Sequence, residues 1–320
     1  MTSWQELCGR FADKDLPERL EPAVLDYISS LPEDQHLLVA CSGGADSVFL
    51  VLAMLNCLPE AHQRLQIVHY NHGLRGPEAV ADEAFVQEMA EGLGICCQIG
   101  RPDGPLDPDE ATLREARYAW MTQVYFEENA GGLLLGHHAD DVVESLLMGV
   151  LTGSGPAGLA SPVPVKRFTD GHVRLRPMLS MKREAILDSL GEAGIPWRED
   201  SSNRDTAYTR NWLRHECIPQ LKRMIPQDIY SGTRRTRQLM EDCLSDLDAQ
   251  LLDLGVDFSE PDRLDIRPLR GQPVALVRRA VLSWWLRHFA SHTIVKGALE
   301  TVLLLVRSGQ SGGGFDMGGG

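Results

Sequence analysis

No two cysteines in this chain stand at the CxxC spacing, and the seven that occur are scattered, only Cys96 and Cys97 being adjacent. A cysteine-held cluster or sulfur relay is therefore unsupported, and an odd thiol count without a spaced framework reads as reduced, cytoplasmic cysteine. Long apolar runs are missing as well. The longest, Val48 to Leu55, falls far short of the ~18 residues of a membrane span, and the N-terminus lacks the basic-then-apolar layout of a secretory signal. Positive charge is scarce: 31 Lys and Arg face 45 Asp and Glu, a net charge of −14. Such a field argues against indiscriminate binding to phosphate backbones. A local exception runs from Arg204 to Arg237, where eight basic residues face three acidic ones. An ordinary solvated surface and a basic face both fit that stretch.

What is present is concentrated at Ser42-Gly43-Gly44-Ala45-Asp46-Ser47. The apolar run His36 to Cys41 precedes it and Val48 to Leu58 follows, which reads as a buried strand, a glycine turn and a helix with Asp and Ser in its first turn. Such a turn aims backbone N–H groups at one point, and the helix N-terminus adds positive potential, so phosphate is the natural guest. No lysine follows the glycines, which excludes the GxxxxGK loop, and the spaced glycines of the dinucleotide fingerprint are absent.

Around this loop, strands and helices alternate through the first ~190 residues. Strands are expected at Arg64–Tyr70, Ile95–Gly100 and Gly132–Gly136, and helices at Glu78–Gly92 and Glu110–Glu127. Alternation of this kind indicates a doubly wound, mainly parallel α/β sheet, whose ligands gather at the carboxyl ends of the strands. Asp170-Gly171 fits a hairpin turn between Val163–Val165 and Val173–Leu175. Beyond ~Thr206 the pattern is helical, with stripes Leu239, Cys243, Leu247, Leu251; Val274, Val277, Val281, Trp285; and Leu299, Val302, Leu303, Val306 expected as bundle core. At 320 residues two domains are expected, 1–225 catalytic and 226–320 helical.

Four polar clusters accompany the loop. His69-Tyr70-Asn71-His72-Gly73-Leu74-Arg75 ends the second strand, either as nucleotide contacts or as a polar strand end. Gly136-His137-His138-Ala139-Asp140-Asp141-Val142-Val143-Glu144 follows a buried strand; a helix starting near His138 sets Asp141 and Glu144 one turn apart on one face. The macrodipole alone accounts for acids in a first turn, and a metal site is a third option, although HExxH is absent. Glu110 and Arg114 are spaced as a surface ion pair, or Arg114 neutralises a phosphate. Last, Asp200-Ser201-Ser202-Asn203 reads as a helix cap, and Arg210 and Arg214 beyond it, with Tyr208, suit a nucleic-acid backbone.

Taken in order, SGGADS at 42–47, HYNHGLRG at 69–76, EATLREARY at 110–118, GHHADDVVES at 136–145, GSGPAGL at 153–159, RLRPML at 174–179 and DSSN…YTRNWLR at 200–214 resemble the family of tRNA(Ile)-lysidine synthetases. The first motif alone is the PP-loop shared by many ATP pyrophosphatases; the order of all seven is more specific. The resemblance implies a Rossmann-like PP-loop domain followed by a smaller helical tRNA-recognition domain, shortened at 320 where longer members continue. It also implies a reaction: ATP and Mg²⁺ adenylate O2 of the wobble cytidine in tRNA(Ile) with the CAU anticodon, and free L-lysine then displaces AMP. By that resemblance Ser42, Gly43, Gly44, Ala45, Asp46, Ser47, His69, Asn71, Arg75 and Arg114 bind ATP, with Asp46 also positioning Mg²⁺. His137, Asp141 and Glu144 bind lysine, His137 being the candidate base, and Asp46, His137 and Asp141 form the catalytic set. Arg210 and Arg214 face tRNA. A cytoplasmic protein without membrane contact is implied, and a homodimer is admitted. The rivals are a tRNA thiolase of the same fold, which the missing CxxC disfavours, an ammonia-using synthetase, and a non-catalytic nucleotide- or tRNA-binding module.

Overall fold

The computed structural model describes residues 3–11, 15–58, 60–104, 107, 109–199, 209–261, 263–289 and 296–308. The cap expected at Asp200–Asn203 and the stacking residue Tyr208 lie outside the described residues. Six strands form one sheet: β1 (Leu37–Ala40), β2 (Leu65–Tyr70), β3 (Cys96–Gly100), β4 (Gly132–Leu134), β5 (Val165–Arg167) and β6 (Val173–Leu175). Their order is β3-β2-β1-β4-β6-β5, parallel except for β5, which pairs antiparallel with β6 as a hairpin. The chain leaves β1 towards β2 on one side and returns to β4 on the other. Between the carboxyl ends of β1 and β4 lies the switch point where sheets of this kind bind ligands.

Side-chain alternation sorts the sheet residues into two cores. Leu37, Val39 and Ile67 pack with the Ala45–Cys57, Pro77–Leu93 and Arg183–Ala193 helices. Leu38, Val68 and Leu133 pack instead with Tyr118, Met121 and Val124 of the Glu110–Glu127 helix. A parallel sheet covered on both faces needs strands that are apolar on both sides, which is why these segments read as unbroken hydrophobic runs. The Ala45–Cys57 helix, fully buried from Val48 to Met54, is apolar all round for the same reason. Gly171, at φ +96°, closes the β5–β6 turn, and its neighbour Asp170 accepts from the His172 N–H at 3.1 Å.

Contacts divide the chain into two compact units, Met1–Gly153 with Ser161–Arg235, and Ser154–Ala160 with Thr236–Gly320. The division between Arg235 and Thr236 falls within the Ile229–Asp253 helix. In the second unit Leu251, Val256, Leu269, Leu276, Val277, Ala280, Leu303 and Val306 form the core. The expected stripes are corrected at three positions, since Leu239, Cys243 and Val274 are exposed. Length explains the first two. A 25-residue helix runs ~37 Å at 1.5 Å per residue, so its 15-residue neighbour Val274–His288, at ~22 Å, covers only one end. Among the described residues no helix is long and apolar enough to cross a membrane.

Leu133 is fully buried at the centre of the sheet. Leu133→Ala should lower the unfolding free energy by about 2–5 kcal/mol, measured by urea denaturation.

Candidate active site at the switch point

The loop after β1 is shaped by its own serines. Ser47 Oγ accepts from the Ser42 N–H at 3.1 Å and donates to the Gly44 carbonyl at 2.9 Å, while Ser42 Oγ accepts from the Gly44 N–H at 3.3 Å. Gly43 sits at φ +87°, where a Cβ would also lie 3.3 Å from Phe85, so both backbone and space require glycine. The Arg198 N–H donates to the Gly43 carbonyl at 2.9 Å. The helix then begins at Ala45; the Ser47 and Val48 N–H groups donate to the Gly44 carbonyl at 3.0 Å, and those of Ala45 and Asp46 have no intrahelical acceptor.

The polar end of β2 braces this loop. His69 Nδ1 meets the Cys41 carbonyl at 2.8 Å, and burial pushes its pKa below the ordinary value. Asn71 donates to the Ala79 carbonyl at 3.2 Å and to Glu83 at 2.9 Å, and accepts from the Gly73 N–H at 2.8 Å. Arg75 and Arg198 both bind Asp82, at 3.0 and 2.8 Å. The polar atoms expected to line a nucleotide are thus engaged in holding the loop's surroundings. Arg114 makes no ion pair with Glu110; its guanidinium lies 5.1 Å from the Tyr118 ring.

From the other side, the end of β4 approaches so closely that a Cβ on Gly136 would lie 3.2 Å from the Asp46 carbonyl oxygen. His138 follows as the N-cap of the Ala139–Thr152 helix, its N–H donating to Asp141 Oδ2 at 2.9 Å. Its buried ring stands among three carboxylates: Nε2 is 3.6 Å from Asp46 Oδ2 and 3.5 Å from Asp141 Oδ2, and Nδ1 is 3.6 Å from Asp140 Oδ2. Burial would lower its pKa, but Asp141, Asp46 and Asp140 together raise it. Asp140 faces the other way, accepting from the Tyr230 hydroxyl at 2.6 Å and the Arg183 N–H at 2.9 Å.

Asp141 and Glu144 lie on one helical face, as their spacing implies, and meet Arg210 and Arg214. Arg210 binds Glu144 Oε2 at 2.8 Å and Asp141 Oδ1 at 3.1 Å. Arg214 binds Glu144 Oε1 at 2.6 Å, Glu144 Oε2 at 3.1 Å and Asp141 Oδ1 at 3.2 Å. Arg210 lies in a short helix, Thr209–Trp212, and Arg214 in the π-helical turn that follows it, Leu213–Cys217. Turns of that kind recur at functional sites. Burial would raise the Asp141 pKa, yet His138, His137 and Arg210 hold it down to about 2. The sequence placed Arg210 and Arg214 on a nucleic-acid face; here both are committed to carboxylates.

His137 points elsewhere, because successive residues at a strand end alternate sides. Its Nδ1 accepts from Arg176 Nε at 3.2 Å, which puts the ring proton on Nε2. Burial pushes its pKa down to about 3, helped by Arg176, Arg114 and Arg210 against the pull of Asp141. The sequence reading gave a role to His137 but none to His138, Asp140 or Arg176, which stand in its quoted motifs, and did not single out Arg198. Alternation at the strand end could have separated the two histidines; nothing local pairs Arg198 with Asp82.

Among the described residues no three His, Cys, Asp or Glu side chains could hold a metal by themselves. Asp46 Oδ1, however, is buried without a hydrogen-bond partner beside the Ser42–Ser47 turn. That suits Mg²⁺, which takes one or two carboxylates and completes its shell with phosphate oxygens and water.

The PP-loop domain family matches residues 16–221. The tRNA(Ile)-lysidine synthase of Salinispora arenicola is 35% identical over 277 residues, covering 84% of this chain and 81% of the relative. That of Rhodopirellula baltica is 34% identical over 250 residues, and that of Bacillus cereus 34% over 218. These matches take in 71% and 66% of this chain but only 63% and 46% of the two relatives, so the chain spans about half to two thirds of their length. A U34-tRNA thiolase from Methanococcus maripaludis superposes with a TM-score of 0.56 at 18% identity, covering 74% of this chain and 78% of the thiolase, a likeness of fold.

His137 provides a pH test. Its folded pKa lies below the ordinary 6.5, so its contribution to stability is complete above that value and is lost as pH falls towards 3. Its ring should not titrate between pH 5 and 8 by NMR, and His137→Gln should lose less stability than the parent on acidification. A ring midpoint near 6.5 would contradict the buried contact with Arg176.

Proposed function

We propose that this chain, which belongs to the PP-loop family of tRNA(Ile)-lysidine synthases, uses ATP to join lysine to C2 of the wobble cytidine in tRNA(Ile) with the CAU anticodon. The observation that carries this reading is the continuous polar path from Asp46 through His138 to Asp141, Glu144, Arg210 and Arg214. One end suits a nucleotide triphosphate, the other a free amino acid, and both lie at one rim of the sheet.

In the first step the cytidine O2 attacks the α-phosphorus of ATP and pyrophosphate leaves. The Ser42–Ser47 turn and the helix N-terminus hold the phosphates, and Asp46 would hold a Mg²⁺ that offsets charge on the leaving pyrophosphate. In the second, the side-chain amine of lysine attacks C2, the C2–O bond breaks and AMP leaves. Two steps are needed because a pyrimidine carbonyl oxygen leaves poorly, whereas its AMP ester leaves well.

The acid–arginine cluster bears on a difficulty in the second step. Carboxylates beside an ammonium raise its pKa, while attack needs the neutral amine. Here two carboxylates are matched by two guanidinium groups, which pull the amine's pKa the other way. Glu144 Oε2 and Asp141 Oδ1 each already accept two hydrogen bonds. A lysine ammonium approaching those two oxygens would displace an N–H donor, and the freed guanidinium is matched to lysine's own carboxylate. The role of base for His137 is less well supported, since its free lone pair is taken by Arg176 and its pKa is about 3. We assign it to hold a substrate group through its Nε2 proton.

A thiolase reading finds no support in the cysteines, all seven of which are free and none at CxxC spacing. A tRNA substrate and free thiols accord with the cytoplasm. The test separates the two steps. With ATP, labelled lysine and tRNA(Ile) bearing CAU, the parent protein should release pyrophosphate and label the tRNA. Asp141→Asn should keep pyrophosphate release but lose label transfer about a hundred-fold, as for a misplaced reactant. Transfer at the parent rate and lysine dependence would refute the assignment of Asp141.

A further inference from the structure

Three arginines surround Tyr118, and a lysine and a fourth arginine lie beyond them, none with a carboxylate partner. Arg114 and Arg117 lie 5.1 and 5.4 Å from its ring centroid, and Arg174 of β6 lies 3.9 Å away. Arg174 is also 4.4 Å from the Phe168 ring, which Lys166 of β5 approaches at 4.8 Å. Arg176, buried, completes the ring through its contacts to His137 and to the Val163 carbonyl at 3.0 Å. Among the described residues none of the five forms an ion pair with a carboxylate, although acids outnumber bases by 45 to 31 in the chain. Asp170, the acid closest in field to Arg174, is already held by His172 Nδ1 at 2.6 Å.

This arrangement is costly to the folded protein. Lys166 stands directly opposite Arg174 in the antiparallel register, and like charges so placed repel. Arg174 and Arg176 have lowered pKa values, from burial first and then from their basic neighbours. Arg174 Nε is buried without a hydrogen-bond acceptor, and so is His72 Nδ1, which lies in the field of Arg117 and Arg75. Cations gathered at such cost call for an anion.

Position selects which anion. β6 and β5 are two and three strands from β1, about 10 and 14 Å at ordinary strand spacing, so Lys166 and Arg174 stand away from a phosphate held in the Ser42–Ser47 turn. A reacting base must reach that turn, and the backbone that carries it then stands a nucleotide's breadth back. We propose that the ring of Arg117, Lys166, Arg174 and Arg176, with Arg114 at its edge, binds the phosphodiester groups flanking the reacting nucleotide of the RNA substrate. This rests on the proposed tRNA reaction and extends it. It also supplies the local attraction that a chain of net charge −14 otherwise lacks.

The test is the salt dependence of binding to tRNA(Ile) bearing CAU, followed by fluorescence anisotropy, with ATP affinity measured in parallel. Lys166→Gln and Arg174→Gln should each reduce the slope of log K against log salt by about 0.7, the value for one single-strand phosphate contact. Arg167→Gln is the control: it neighbours Lys166 in β5, but its guanidinium lies 4.8 Å from the Tyr27 ring, away from Tyr118. It should leave the slope unchanged, and ATP affinity should be unchanged in all three. Lys166 is exposed, so its substitution tests the site even where Arg174→Gln fails to fold. An unchanged slope in Lys166→Gln overturns the proposal, as does an equal fall in Arg167→Gln. Loss of ATP affinity with RNA binding intact also overturns it, assigning the ring to polyphosphate. A parent protein that binds no tRNA would instead overturn the proposed reaction, a separate result.

Discussion

Two carboxylates and two guanidinium groups, Asp141 and Glu144 against Arg210 and Arg214, hold the rim of the sheet together. Glu144 is 1% exposed, and a buried carboxylate without a partner is strongly destabilising. The arginines therefore act structurally before they act chemically. They fix the first turn of the Ala139–Thr152 helix and draw a segment some seventy residues distant onto it. Through Asp141 the constraint reaches His138, and through His138 it reaches Asp46 in the Ser42–Ser47 turn. No large apolar cavity is required for such a site; the positions of a few charges define it.

On the proposed reaction, the same contact would let one site be acidic enough to attract an ammonium and still release a nucleophile. An acid pair alone would hold lysine charged. A pair already neutralised by arginine binds by exchange of partners, so the incoming ammonium meets guanidinium groups as well as carboxylates. His137 points away from this exchange through the alternation of the strand end and is kept neutral by burial first and then by Arg176. Adjacent histidines thus serve different neighbourhoods, one among carboxylates and one among arginines.

Much of the fold was legible because its elements are chemically plain. Strands buried on both faces read as short apolar runs, and the helix at Glu110–Glu127 matches its expected span. The glycine turn at Ser42–Ser47 was equally clear, since Gly43 needs its backbone conformation and Ser47 its hydroxyl. Contacts made at a distance were hidden. Nothing in the spacing of Arg210 and Arg214 distinguishes a face turned to RNA from one turned to Glu144, and Lys166 meets Arg174 only through the hairpin register. The helical stripe at Leu239 and Cys243 misled for a related reason: periodicity shows that a face is apolar, not that a neighbour is long enough to cover it.

The central claim is that Asp141, Glu144 and their arginines form a lysine site. Equilibrium dialysis with labelled lysine, in the presence of tRNA and an ATP analogue that cannot be cleaved between its α and β phosphates, tests it most directly. Saturable binding is predicted in the parent protein, uncompeted by norleucine, which lacks the side-chain amine, and lost in a folded Glu144→Gln variant. Equal lysine binding by the two proteins would contradict the account.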